Sequence, residues 1–216
     1  MKNAAFVTAA RIGRALCAPA LALVLAAAVA APSMASESRP SVAGLLPVKE
    51  SVGAPQGANA LCATYAWACA KAGKRVTVDA AMLQVIKDVN SRVNRSVRPV
   101  NDITQYGTAE RWALPTRRGG DCEDYALLKK KELIAAGLAP EQLLIATVLD
   151  RQRQSHAVLV LRTGKQDLVL DNLTGRIMPW QQTGYTFLRV QNPAKPSGWV
   201  AVLAGGIFND DAVAKF

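Results

Sequence analysis

Gly119-Gly120-Asp121 stands directly before a helix-forming run from Cys122 to Ala136, and Gly137 closes that run. Two adjacent glycines free the backbone to turn, and Asp121 is placed to accept the unpaired N–H groups of a helix start. A cysteine therefore opens the helix. The positive end of the helix macrodipole favours thiolate over thiol at that position, which gives Cys122 an electrostatic reason to be nucleophilic. The chain holds a single histidine, His156. Any cysteine–imidazole chemistry must use that ring, and a zinc site needing two or more imidazoles is excluded by composition.

The apolar pattern changes period along the chain. Thr77 or Asp79 can cap a helix running to about Val97, with Met82, Val85, Ile86, Val89 and Val93 at spacings of three and four. Pro99 ends it, and 101–115 reads as a loop or short strand containing Asp102, Tyr106 and Trp112. Trp112 either walls a site or is an ordinary core tryptophan. On the helix from Cys122, steps of 100° align Cys122, Ala126, Leu133 and Ala136, with Lys129 intruding on that stripe. Beyond Gly137 and Pro140, short β-rich runs follow at 143–149, 156–162, 167–171, 176–180 and 185–190. The expectation is an α+β fold in which a helix carrying a nucleophile at its N-terminus packs on an antiparallel sheet.

Before that domain, Lys2, Arg11 and Arg14 precede an apolar, alanine-rich stretch from Ala15 to Ala31, with Ser33-Met34-Ala35 offering small residues for cleavage. Residues 1–35 read as a secretory signal peptide, which places the mature chain in the periplasm; the stretch is short for an uncleaved span of about 20 residues. Residues 36–58, with Pro40, Pro47 and Pro55, read as a weakly ordered lead-in, and 59–216 as one domain. The whole chain carries a net charge of +10; removing the leader's three basic residues from 26 leaves 23 against 16 acidic ones, a net of +7. That surplus is spread out and aromatics are only 6%, so nucleic acid is not the expected partner. In an oxidising compartment Cys62 and Cys69 either bridge or remain separate buried thiols. A straight helix would hold them about 10 Å apart, so a bridge requires a break between them.

Thr163-Gly164-Lys165-Gln166 is a hairpin turn between two of the strands. With Gly164 and Lys165 as the two loop residues, His156 faces Leu173 and Asp171 faces Val158. His156 and Asp171 are then diagonal neighbours on one face of the sheet. A one-residue change in the loop would separate them. Cys122, His156 and Asp171 so form a candidate catalytic triad: nucleophile, base and orienting acid.

Trp112-Ala113-Leu114-Pro115, Arg118-Gly119-Gly120-Asp121-Cys122-Glu123-Asp124-Tyr125-Ala126, Ser155-His156-Ala157-Val158-Leu159 and Leu168-Val169-Leu170-Asp171-Asn172 resemble, in order, the motifs of the bacterial transglutaminase-like cysteine peptidases. These are relatives of the periplasmic LapG-type adhesin proteases. The resemblance implies a papain-like or transglutaminase-like core with Cys122 as nucleophile, His156 as base and Asp171 as orienting acid. It also implies a calcium ion held by Asp121, Glu123 and Asp124, although helix capping and dipole pairing explain those carboxylates equally well. The implied partners are a protein or peptide substrate, including a cell-surface protein, and a membrane-bound regulatory receptor. Three functions stay open: hydrolysis of peptide or amide bonds through a thioester, acyl transfer to amines, and a non-catalytic binding protein that keeps the fold.

Overall fold

The computed structural model describes residues 44–208. The expected signal peptide, the first part of the expected lead-in and the tail beyond Phe208 lie outside the described residues. Helices α1 (Leu61–Thr64), α2 (Ala80–Ser96), α3 (Asp102–Tyr106) and α4 (Cys122–Ala135) precede all but one of the strands. That strand is β1 (Ser51–Val52); β2 (Leu143–Leu149), β3 (Ser155–Arg162), β4 (Asp167–Leu170), β5 (Met178–Pro179), β6 (Thr186–Gln191) and β7 (Trp199–Ala204) follow. They form one sheet in the order β1-β7-β6-β2-β3-β4-β5, antiparallel at every pairing. The fold is the expected α+β class.

The central strands β2 and β3 are mostly apolar because both sheet faces are buried. On β2, Leu143 and Ile145 join the cluster shared with Leu127 and Leu133 of α4 and with Ile86 and Val93 of α2. The alternate residues Leu144, Ala146 and Val148 join the opposite cluster with Val158, Val160, Trp180 and Phe187. Helix α4 thus lies between the sheet and α2. Its burial on most sides, from Glu123 through Leu133, replaces the single stripe expected of it, and Ala136 is exposed.

Local signals set most boundaries. The Asp79 carboxylate accepts from Met82 N–H at 2.8 Å and starts α2, whose buried face is Ile86, Val89, Asn90 and Val93; Val85 turns to solvent. Gly137, at φ 104°, ends α4 as its N–H and that of Leu138 return to Ile134 and Leu133 carbonyls. Cys62 and Cys69 are disulfide-bonded with Cα atoms 5.4 Å apart. The required break is present: α1 stops at Thr64, Tyr65 leaves helical geometry, and a 3₁₀ turn over Ala66–Cys69 follows.

Two segments correct the sequence reading. Residues 44–58 are extended but not weakly ordered. Leu46 is buried, its N–H donates to Asp167 Oδ2 at 2.8 Å, and β1 pairs with β7. Within 101–115, the short helix α3 stands where a loop or strand was expected, closed by Gly107 at φ 71°.

Lys129 and Lys130 lie wholly inside, and Lys130 Nζ donates to Gln191 Oε1 at 2.8 Å. Burial pushes both ammonium groups down to about 7, against the opposing pull of Asp171 on Lys129 and of Glu141 on Lys130. Unfolded lysine keeps its proton to about 10.4, so between pH 7 and 10 these two side chains bind more protons unfolded than folded, and their contribution to stability rises with pH. The stability of the wild type relative to Lys130→Met is therefore expected to rise from pH 7 to pH 9; calorimetry on both proteins across the range checks it.

Candidate active site

The glycine pair builds the site's floor. Gly120 exchanges backbone hydrogen bonds with Arg98 and Val100, which lie just beyond α2. A Cβ on Gly119 would sit 2.0 Å from the Arg98 carbonyl, and one on Gly120 would sit 2.5 Å from Asp124 Oδ2. Only glycine lets these segments meet. Asp121 occupies the cap position but makes no side-chain cap bond; its Oδ2 instead accepts from Asp102 N–H at 3.1 Å. The expected capping role is thereby corrected.

On the sheet, the hairpin register is the one expected from the turn: Leu159 opposes Leu170, and Arg162 opposes Asp167. His156 Nε2 lies 2.8 Å from Asp171 Oδ1, with both side chains almost fully buried. Asp171 Oδ1 also accepts from Leu173 N–H at 3.1 Å, and Oδ2 accepts from the Tyr185 hydroxyl. Burial works to raise the Asp171 carboxyl, but the His156, Tyr185 and Leu173 donors outweigh it and hold the group below the usual carboxylate range.

Cys122 and His156 line one cavity of about 260 Å³ at the adjoining ends of β2 and β3, walled also by Trp112, Glu123, Ala157 and Arg189. Trp112 fills both roles considered for it: it faces this cavity, and it is 7% exposed and packs edge-on against Trp199. Since Asp171 engages Nε2, Nδ1 is the ring nitrogen left for the thiol. The Cys122 sulfur is 3.3 Å from Glu123 Oε2, to which it donates. Burial first, then the Glu123 carboxylate, push the thiol well up, while the Ala157 N–H acts in the opposite sense. Burial and the Glu123 carboxylate thus act against the helix dipole at this sulfur.

Of the expected Asp121, Glu123 and Asp124 set, the first two share a cluster with Asp102. Oxygens of Asp102, Asp121 and Glu123 lie within 4.8 Å of one another. Asp121 Oδ1 and Glu123 Oε1 are buried without a hydrogen-bond partner. Asp124 Oδ1 accepts from Ala113 N–H at 2.9 Å, while its Oδ2 is likewise buried without a partner. Burial, followed by repulsion from Asp121, pushes the Glu123 carboxyl up; burial raises Asp124 to about 7. A compact all-carboxylate set with unpaired oxygens fits a hard cation such as calcium. Asp102 and Tyr185 were not singled out as site residues in the sequence, and no local motif marks either one.

A cysteine at the tip of a helix, set over the ends of antiparallel strands that pair an imidazole with a buried carboxylate, is the plan of a transglutaminase-like cysteine peptidase. Sequence comparison agrees. The family model for the bacterial transglutaminase-like cysteine proteinases matches residues 48–206, and the chain belongs to that family of cysteine peptidases. Comparison with curated proteins finds no match. Among solved structures, calcium-bound Legionella pneumophila LapG is 24% identical with a TM-score of 0.49, covering 64% of this chain and 81% of that chain. EGTA-treated Legionella pneumophila LapG is 25% identical with a TM-score of 0.44, covering 54% of this chain and 66% of that one.

Proposed function

We propose that this chain is exported to the periplasm and hydrolyses peptide bonds in an envelope or cell-surface protein, with Cys122, His156 and Asp171 as its catalytic triad. The observation that carries this reading is the His156–Asp171 pair at 2.8 Å, with its ring in the same cavity as the Cys122 sulfur. His156 Nδ1 takes the thiol proton as the sulfur bonds to the scissile carbonyl carbon. Backbone N–H groups at the start of α4 face the developing oxyanion. The C–N bond then breaks, His156 returns the proton to the departing amine, and a thioester remains on Cys122. Water, deprotonated by the same ring, releases the acid and restores the thiol.

Asp102, Asp121 and Glu123 would hold a calcium ion, and a bound cation supplies positive charge beside the thiol. Glu123 is the group this concerns most directly, since its carboxylate accepts the thiol hydrogen. Calcium at 100 times its Kd is expected to stabilise the protein by about 2.7 kcal/mol. Thermal melts with calcium and with EGTA should differ accordingly, and Asp121→Asn should abolish the difference.

The direct test is to incubate the source bacterium's envelope proteins with the protein and a labelled primary amine, then map new termini by mass spectrometry. New amino termini paired with free carboxyl termini support hydrolysis. Labelled amine on the acyl product would identify acyl transfer, and no new termini would contradict both.

A further inference from the structure

The orienting acid has a support of its own. Asp171 is 2% exposed and both of its carboxylate oxygens are held: Oδ1 takes His156 Nε2 and the Leu173 N–H, and Oδ2 takes the Tyr185 hydroxyl. The same tyrosine ring stands edge-on to the imidazole, with centroids 5.9 Å apart and planes at 87°. Tyr185 is 7% exposed and fixed from behind. Its N–H donates to Thr183 Oγ1 at 3.1 Å, Thr183 Oγ1 donates to the Trp180 carbonyl at 2.7 Å, and Arg151 Nε holds the Thr183 carbonyl at 2.8 Å. The backbone of Asp171 is anchored independently, its carbonyl accepting from Asn94 Nδ2 of α2 at 2.8 Å.

A carboxylate bound through one oxygen can still rotate about its Cβ–Cγ bond and leave the imidazole. One bound through both oxygens in a dry site cannot. We propose that Tyr185 is a positioning residue for the triad, locking the Asp171 carboxylate in the plane that receives His156 Nε2–H and bracing the imidazole with its ring. This deepens the proposed function and rests on it. Burial and the adjacent Asp171 charge push the tyrosine hydroxyl up, so it remains the donor throughout the working range. Loss of the hydroxyl leaves Oδ2 without a donor and Oδ1 shared between the ring and the Leu173 N–H, which loosens the carboxylate's plane and weakens its hold on the imidazolium.

The test needs no substrate. Cys122 is the free cysteine among the described residues, and His156 is the only histidine of the chain. Iodoacetamide alkylation of Cys122, followed by mass spectrometry, and the imidazole NMR signals of untagged protein therefore each report one site. With calcium present, Tyr185→Phe is expected to keep its melting temperature within a few degrees and to slow alkylation at pH 7 about tenfold. Its Nε2 proton resonance should broaden through faster exchange. In an Asp171→Asn background the same substitution should have almost no further effect, because the tyrosine acts through the carboxylate.

Alkylation of Tyr185→Phe within twofold of wild type, or an equal slowing in both backgrounds, would overturn the inference. The wild type gives an independent readout. Its Tyr185 hydroxyl proton should be observable, with nuclear Overhauser contacts to the His156 ring; a hydroxyl in fast exchange with solvent would contradict the lock. His156→Gln separates the two levels of the argument. If it is alkylated as fast as wild type, the triad itself fails. If it is slow while Tyr185→Phe is not, only the role of Tyr185 fails.

Discussion

Cys122→Ala is expected to abolish cleavage of envelope proteins, a loss on the order of 10⁶-fold. Without the sulfur there is no covalent intermediate, and the imidazole–carboxylate pair has no proton to take from a nucleophile. The loss should come without unfolding. The Cys122 side chain is only partly buried at a cavity edge and donates its one hydrogen bond to Glu123. Mass-spectrometric counting of new termini gives the activity, and a melt within a few degrees of wild type shows the intact fold. Removing the sulfur also ends its hydrogen bond to Glu123. Calcium should therefore still raise the melting temperature of the Cys122→Ala protein, which separates the cation site from the chemistry.

Asp171→Ala is expected to cost both activity and stability. Activity should fall about 10³- to 10⁴-fold, the scale on which triads suffer when the orienting acid is lost. Two donors, His156 Nε2–H and the Tyr185 hydroxyl, would be left in the interior without their acceptor, and the part-buried Leu173 N–H would lose its own. Each unsatisfied buried donor costs about 1–3 kcal/mol, so a large drop in melting temperature should accompany the kinetic defect. Asp171→Asn should lie between wild type and Asp171→Ala. Its carboxamide oxygen still accepts from the ring and its NH₂ can donate to the tyrosine oxygen, but the charge is gone. Because the folded-state pKa of Asp171 is depressed, its stabilising contribution is present above the unfolded carboxylate range and is lost as pH falls through the folded value. The stability gap between wild type and Asp171→Asn should be open at pH 7 and narrow in acid, which paired melts at pH 7 and pH 3 will show.

What could be read from the sequence was whatever short-range chemistry decides. Asp79 and Gly137 mark helix ends because a cap and a left-handed stop act within a few residues. The two-residue hairpin loop sets the pairing of β3 with β4, and that register alone puts His156 beside Asp171. Elements decided by distant contacts were hidden. β1 exists because β7 offers an edge, and Leu46 is buried because Asp167 holds its backbone. α3 is a five-residue helix whose Asp102 is drawn under Asp121 and Arg111, partners that local pattern does not reveal. The electrostatics of the thiol were only half legible for a related reason. A helix dipole can be inferred from the position of Cys122, whereas burial and the turn of Glu123 toward the sulfur exist only in three dimensions. Tyr185 escaped notice because nothing in a β-rich run shows that one hydroxyl reaches a carboxylate fourteen residues upstream.

One measurement bears most directly on the triad. Envelope proteins of the source bacterium are incubated with the protein in calcium, the reaction is quenched in acid, and the tryptic peptide containing Cys122 is weighed. A thioester-linked fragment on Cys122, lost on treatment with hydroxylamine and missing from His156→Gln, is the expected result. Substrate cleavage that proceeds with no acyl group ever found on that peptide would contradict nucleophilic catalysis by Cys122.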